Sequence, residues 1–206
     1  MLHTETIPPG TLSLLKELQQ SEILKNCPLA GGTALALQLG HRISVDLDLF
    51  SLDNLNLEEV KRFLESYPES LELSSSKSIV TYSIKRIKVD VVNYDYPPIN
   101  PLIIESGILL YRLEDIAAMK LEAIKGRGRK RDFYDLYFLL QEFTLEEILQ
   151  FNLKKYNVRN PFMILKSLSY FEDAEVDPDV KVPPGVYRIE WDQVKNGIIE
   201  AGKNYL

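Results

Sequence analysis

Asp46 and Asp48 are the residues with the clearest chemistry in this chain. They sit in Val45-Asp46-Leu47-Asp48-Leu49-Phe50, where apolar and charged residues alternate with the period of a strand. Residues two apart on a strand share a face, so both carboxylates point one way while Val45, Leu47 and Leu49 point the other. Adjacent carboxylates repel and are costly to desolvate, and a hard divalent ion such as Mg²⁺ (or Mn²⁺) relieves both problems. Taken alone, the pair reads equally well as a solvated edge strand. Just ahead of it, Gly31-Gly32-Thr33 forms a small glycine turn running into the apolar, helix-like Ala34–Leu39. Glycine lets backbone N–H groups approach an anion closely at a helix start. A phosphate cradle beside a divalent-metal pair reads as a nucleotide site.

Other groups could join it. In Ile87-Lys88-Val89-Asp90-Val91-Val92, one face carries Ile87, Val89 and Val91 and the other Lys88, Asp90 and Val92. If this strand lies beside Val45–Phe50, Asp90 becomes a third carboxylate; by spacing alone it is as easily a surface residue. Lys120 and Arg127 stand seven apart, on one face if a helix persists that far, and a lysine with an arginine fork suits phosphates. Asp132 and Asp135 share one face at the start of the following helix. Arg42 could reach a phosphate or simply neutralise the Asp pair, whereas His41 reads as structural, with no second histidine nearby. Arg129 and Lys130 read as a solvated basic loop or a loose RNA contact.

Two blocks carry a family resemblance. Gly-Gly-Thr-Ala-Leu followed by Gly-His-Arg-x-Ser-x-Asp-Leu-Asp-Leu-Phe resembles the first motif of the AbiEii/AbiGii-type nucleotidyltransferase-like toxins. Lys120 and then Arg131-Asp132-Phe133-Tyr134-Asp135-Leu136 resemble their later motifs, a helical lysine followed by Arg-Asp-x-x-Asp-Leu. The resemblance covers about residues 29–140, with Thr33 where many members have Ser. It implies a metal-dependent nucleotidyltransferase, with Asp46, Asp48 and Asp90 as metal ligands. Lys120 and Asp132 join them as catalytic residues. Gly31, Gly32, Thr33, Arg42, Ser44, Lys120, Arg127, Arg131 and Asp135 would bind a nucleoside triphosphate (NTP). Asp135 would be either a base or a brace for Arg131 or Lys120. The family reading is the toxin of a toxin–antitoxin system, adding a nucleotide to an acceptor such as tRNA and opposed by a cognate antitoxin. The alternatives are a small-molecule or protein nucleotidyltransferase, and a nucleotide-binding module without turnover.

The elements that must hold these groups follow from pattern. Thr11 is expected to cap a first helix, and Asn56 another reaching about Tyr67. Strands are expected over 71–75, 79–84 and 87–93, the last two a hairpin turning at Lys85-Arg86. Asp115 is expected to cap a helix ending at Lys125. A core helix follows, then a Thr144-x-x-Glu147 capping box, a helix from Phe162 to Phe171 and a last one from Trp191 to Tyr205. The fold class is α/β (α+β): a small mixed sheet with flanking helices over residues 1–112, then a mostly helical region over 113–206, packed as one unit. Hydrophobic residues make up 45% of the 206, enough for a buried core. The net charge of −6 argues against general nucleic-acid binding and leaves RNA only a local patch, Lys125–Arg131. A single cysteine, Cys27, excludes an internal disulfide and a cysteine-rich zinc site. With no leader-like start and no apolar run of spanning length, a cytoplasmic protein away from membranes is expected.

Overall fold

The computed structural model describes residues 1–157, 160–203 and 205. Four strands form the main sheet: β1 (Leu47–Ser51), β2 (Ser70–Ser75), β3 (Ile79–Ile84) and β4 (Ile87–Asn93). Their order is β1-β4-β3-β2, with β1 parallel to β4 and the other neighbours antiparallel. The β3–β4 hairpin closes through Lys85 and Arg86, both at positive φ (50° and 67°), the backbone twist that matches a two-residue hairpin. A second hairpin, β5 (Ile103–Glu105) and β6 (Ile108–Leu110), was not expected from pattern. Leu29 stitches it to the main sheet, bridging Leu49 on one side and Leu110 on the other.

Helix α1 (Pro9–Gln20) begins two residues before the expected Thr11 cap. Proline at the first helical position already has a helical φ and lacks a donor to satisfy, and Thr11 is instead buried. Helix α2 (Gly31–Leu39) absorbs the glycine turn, whose residues form its first turn. Asn56 caps α3 (Leu57–Glu65), accepting a hydrogen bond from the Glu58 N–H at 3.1 Å. Helix α4 (Leu113–Arg127) persists to Arg127, so Lys120 and Arg127 do share a face. Asp115 is not its cap. Arg112 holds that position, and buried Asp115 accepts from the Ile99 N–H at 2.9 Å and from Lys155 Nζ at 2.7 Å, partners that local spacing could not reveal.

Helix α5 (Lys130–Glu142) follows directly, then α6 (Leu145–Tyr156), opened by the expected reciprocal box between Thr144 and Glu147. The helix expected from Phe162 to Phe171 ends early, as α7 (Phe162–Ser167), and a short α8 (Glu172–Glu175) follows beyond that span. Helix α9 (Trp191–Gly202) stops short of Tyr205; Asn204, inside the expected span, lies outside the described residues. One connected hydrophobic cluster joins the inner face of the sheet (Leu47, Leu49, Val89, Val91) to α2, α4, α5 and α9 (Leu35, Leu121, Leu136, Val194). Burial of this apolar face fixes which strand face is left to the site. No helix among the described residues is long and apolar enough to cross a membrane.

Candidate active site

The parallel pairing of β1 with β4 sets Asp48 directly opposite Asp90. Leu47, Leu49, Val89 and Val91 are fully buried, so the alternation leaves both carboxylates on the other face, lining a cleft of about 430 Å³. Burial, and then the charge of Asp90, pushes Asp48 up to about 6. Asp90 Oδ1 is buried with no hydrogen-bond partner among the described residues, while Oδ2 is paired with Lys88, a neighbour on the same strand face. Asp46 lies one residue ahead of β1. Its carbonyl accepts from Thr33 Oγ1, and its carboxylate stands 3.3 Å from Arg131 Nη1.

The first turn of α2 closes one end of the cleft. Gly31 has φ +66°, and a Cβ there would run into the Asp48 carboxylate, 2.9 Å from its Cγ. A Cβ on Gly32 would meet the Arg42 guanidinium. Glycine is therefore required twice, once for conformation and once for space. The Ala30 N–H donates to the Asp48 carbonyl at 2.8 Å, tying this turn to β1. Thr33, expected to contact phosphate, is buried and does not line the cleft; its hydroxyl lies 2.8 Å from Ser44 Oγ. Ser44 does line it, with Arg42.

The facing wall comes from α4 and α5. Lys120, Arg127 and Arg131 all line the cleft. Behind them runs a buried ion network. Lys120 Nζ stands 2.9 Å from Asp132 Oδ1 and 2.5 Å from Asp135 Oδ2, and Arg127 Nε donates to Asp132 Oδ2 at 3.0 Å. Asp135 also accepts from Arg42, through Nε at 2.6 Å and Nη2 at 2.9 Å, and from His41 Nε2 at 2.7 Å. Burial alone would raise Asp135, but Arg42 and then Lys120 outweigh it and hold the carboxyl well below its usual range. Asp132 is lowered likewise, burial being overcome by Lys120 and Arg127. Burial pushes the His41 imidazole down, so it is neutral, with the proton on the nitrogen facing Asp135.

Asp132 and Asp135 thus lie behind the cleft with no exposed surface. They touch the cations that line it, Lys120, Arg127 and Arg42. Arg129 and Lys130 are drawn away instead: Arg129 pairs with Asp177 at 2.6 Å, and Lys130 Nζ donates to the Asp177 carbonyl at 2.8 Å. The pattern of the chain did not single out Lys88, Glu122, Phe50 or Met119 as cleft residues, yet all four line it. Strand alternation two from Asp90 and Asp48, and the helical spacing around Lys120, were the signals that could have found them. No group of three or more His, Cys, Asp or Glu side chains among the described residues is already gathered as a metal cage.

A mixed sheet presenting paired carboxylates across a cleft from helix-borne cations, with a glycine turn at its end, is the architecture of a nucleotidyltransferase. Solved structures share the fold. The fold is similar to MenT4, the nucleotidyltransferase toxin Rv2826c from Mycobacterium tuberculosis H37Rv (TM-score 0.59, 14% identity, 99% of this chain and 86% of that one). It is also similar to JHP933 from Helicobacter pylori (TM-score 0.56, 19% identity, 96% and 92%). In sequence the chain is 35% identical over 184 residues to the uncharacterized protein aq_aa25 of Aquifex aeolicus (strain VF5), covering 86% of this chain and 87% of that one. Residues 13–204 match the family described as nucleotidyl transferase AbiEii toxin, type IV TA system. The chain belongs to that family and is a nucleotidyltransferase, an enzyme that moves a nucleotide from an NTP to an acceptor with release of pyrophosphate.

Proposed function

We propose that this enzyme is metal-dependent and acts as the toxin of a toxin–antitoxin pair, transferring a nucleotide to an RNA acceptor such as the end of tRNA. The observation that carries the reading is the Asp48–Asp90 rung, set against Gly31 at one end and Lys120 and Arg131 across the cleft. The donor set fits a divalent ion. Asp90 Oδ1 has no partner among the described residues, and Asp48 is raised by burial and by Asp90, two costs that a cation would relieve. Asp48 and Asp90, with Asp46 released from Arg131, would hold Mg²⁺ or Mn²⁺. Bound there, the ion offsets charge on the α-phosphate and on the attacking and leaving oxygens.

The chain's own groups do the rest. Gly31 and Gly32 bring the first turn of α2 close to the phosphates, where its free N–H groups favour an anion. Arg42, Ser44, Lys120, Arg127 and Arg131 orient the β- and γ-phosphates. Asp132 and Asp135 position Lys120 and Arg42 from behind, so that their charge is in place before the substrate arrives. The acceptor hydroxyl oxygen then bonds to the α-phosphorus while its proton passes to solvent, the α–β anhydride bond breaks, and pyrophosphate leaves. An RNA acceptor is supported by the exposed guanidinium groups of Arg127 and Arg131 at the cleft. Arg129 and Lys130 are held by Asp177 and do not line the cleft.

The test is incubation with each α-labelled NTP, Mg²⁺ and total cellular RNA, beside an Asp46→Ala/Asp48→Ala control. Label in tRNA-sized RNA, dependent on the intact carboxylates and abolished by EDTA, is the expected result. Label in protein instead would overturn the RNA acceptor, and label resistant to EDTA would overturn the metal.

A further inference from the structure

Two rungs beyond Asp48–Asp90, the same two strands pair Phe50 with Val92, and both residues line the cleft. Two residues along a strand is about 6.6 Å, roughly the step from an α-phosphate toward its nucleoside. Helix α4 adds Ile116, Met119 and Ala123 to the same cleft, at the i, i+3, i+7 spacing of one helical face. The cleft therefore has two halves, one of carboxylates, cations and glycines and one of apolar side chains. The Phe50 ring is held from behind by Tyr94, with centroids 4.7 Å apart.

The apolar half also carries a carboxylate. Among the described residues, Glu122 is the one acidic cleft residue besides the three aspartates. Its Oε1 accepts from Asn152 of α6 at 3.1 Å, and its Oε2 is paired with Lys125. Tyr156, one turn on from Asn152, packs on Tyr96 (4.7 Å), Tyr96 on Tyr94 (5.4 Å), and Tyr94 on Phe50. Glu122 follows Met119 by three residues on α4, so it lies on the Met119 side of the cleft.

From this arrangement we infer that the slot between the Phe50–Val92 rung and Met119 takes the base of the incoming NTP, and that Glu122 selects bases bearing an exocyclic amine. The inference rests on the proposed NTP site and deepens it. An apolar slot with a few placed polar groups is the usual form of a small-molecule site. A carboxylate can only accept. It favours the amino group of cytosine, adenine or guanine and opposes the O4 of uracil. Continuity with the carboxylate rung argues for the base of the NTP, which is joined to the α-phosphate, over a base of the acceptor.

The test is equilibrium binding to the full chain with Mg²⁺ and no acceptor, comparing CTP, UTP and inorganic tripolyphosphate. CTP is expected to bind at least about tenfold tighter than UTP, the scale of one hydrogen bond to a charged group. Glu122→Gln should bring the two within about threefold while leaving tripolyphosphate unchanged. Phe50→Ala and, independently, Met119→Ala should weaken CTP by about tenfold and tripolyphosphate not at all. CTP binding no better than tripolyphosphate, or variants that leave CTP affinity intact, would overturn the base slot and hand the apolar half to the acceptor. Failure of tripolyphosphate to bind with Mg²⁺ would instead overturn the phosphate site itself, and the base slot with it.

Discussion

Arg42 and Asp135 are 93 residues apart in sequence and meet through two hydrogen bonds, Nε to Oδ1 at 2.6 Å and Nη2 to Oδ2 at 2.9 Å. Asp135 has no exposed surface, and its remaining bonds go to His41 and Lys120. Removing one member of a buried ion network strands the others without a counter-charge, which typically costs about 3–5 kcal/mol. Asp135→Ala should therefore lose stability on that scale in urea at pH 7, and Asp135→Asn should lose less because its amide oxygen still accepts. The carboxyl is held well below its usual range, so its contribution is present above the unfolded-state value and is lost as pH falls toward the folded one. The gap between native protein and Asp135→Asn should accordingly narrow below about pH 4. A loss under about 1 kcal/mol for Asp135→Ala would show that the cations need no buried partner.

Asp48 behaves in the opposite sense. Burial and Asp90 raise it to about 6 in the folded protein, above its unfolded value, so the fold favours the neutral acid. The stability it contributes is complete below the unfolded value and is lost as pH rises through about 6. At pH 8 without divalent ions, Asp48→Asn should be more stable than the native protein. The gain should be about 1–3 kcal/mol, because a two-unit shift sets the upper end and water in the cleft reduces it. The two proteins should converge near pH 4, and transfer activity should be absent from the variant at every pH. Urea midpoints in EDTA at the two pH values measure the difference; a variant less stable at pH 8 would refute a strained carboxylate.

Gly31 supports a sharper test because two separate penalties meet there. Its φ of +66° disfavours any side chain, and the Cβ of alanine would overlap the Asp48 carboxylate. Backbone strain alone costs about 1–2 kcal/mol. Gly31→Ala should lose at least that in thermal unfolding and also lose transfer, since Asp48 must move. Gly10→Ala, where a Cβ meets nothing within 4 Å among the described residues, is the control and should leave activity unchanged. An active Gly31→Ala protein would mean that Asp48 tolerates displacement.

The parts of this molecule that could be read from sequence are those whose causes are local. The bounds of β3 and β4 follow from alternation and from Lys85-Arg86, and the α6 start from the Thr144–Glu147 box. Asp46, Asp48 and Asp90 share a cleft because a two-residue period and one strand pairing suffice to bring them there. What escaped depends on distant partners. The β5 and β6 strands are three residues each, too short to show a period, and Leu29 completes their pairing. Asp115 has the residue type and position of a cap, but Lys155 draws it inward. Thr33 looks like a phosphate hydroxyl until Ser44 and the Asp46 carbonyl claim it. The division of labour in the basic run Arg127–Arg131 is set by Asp132, Asp177 and Asp46, none of which the run itself reveals.

That division can be measured. Arg131 is exposed, lines the cleft and is tied only loosely, at 3.3 Å, to Asp46. Arg129, two residues earlier, is as exposed but pairs with Asp177 and does not line the cleft. A guanidinium that turns to a phosphate makes a charge-assisted bond, and losing one costs roughly tenfold or more in affinity. Arg131→Ala should therefore raise the NTP dissociation constant by about tenfold to a hundredfold with little change in stability. Arg129→Ala should leave NTP affinity within about twofold and cost little stability, since Asp177 keeps the Lys130 N–H as a partner. Titration of both variants with the same nucleotide and Mg²⁺ compares them directly. Equal loss in the two would point to a diffuse basic surface, and loss in Arg129→Ala alone would move the phosphate contact to the other end of the run.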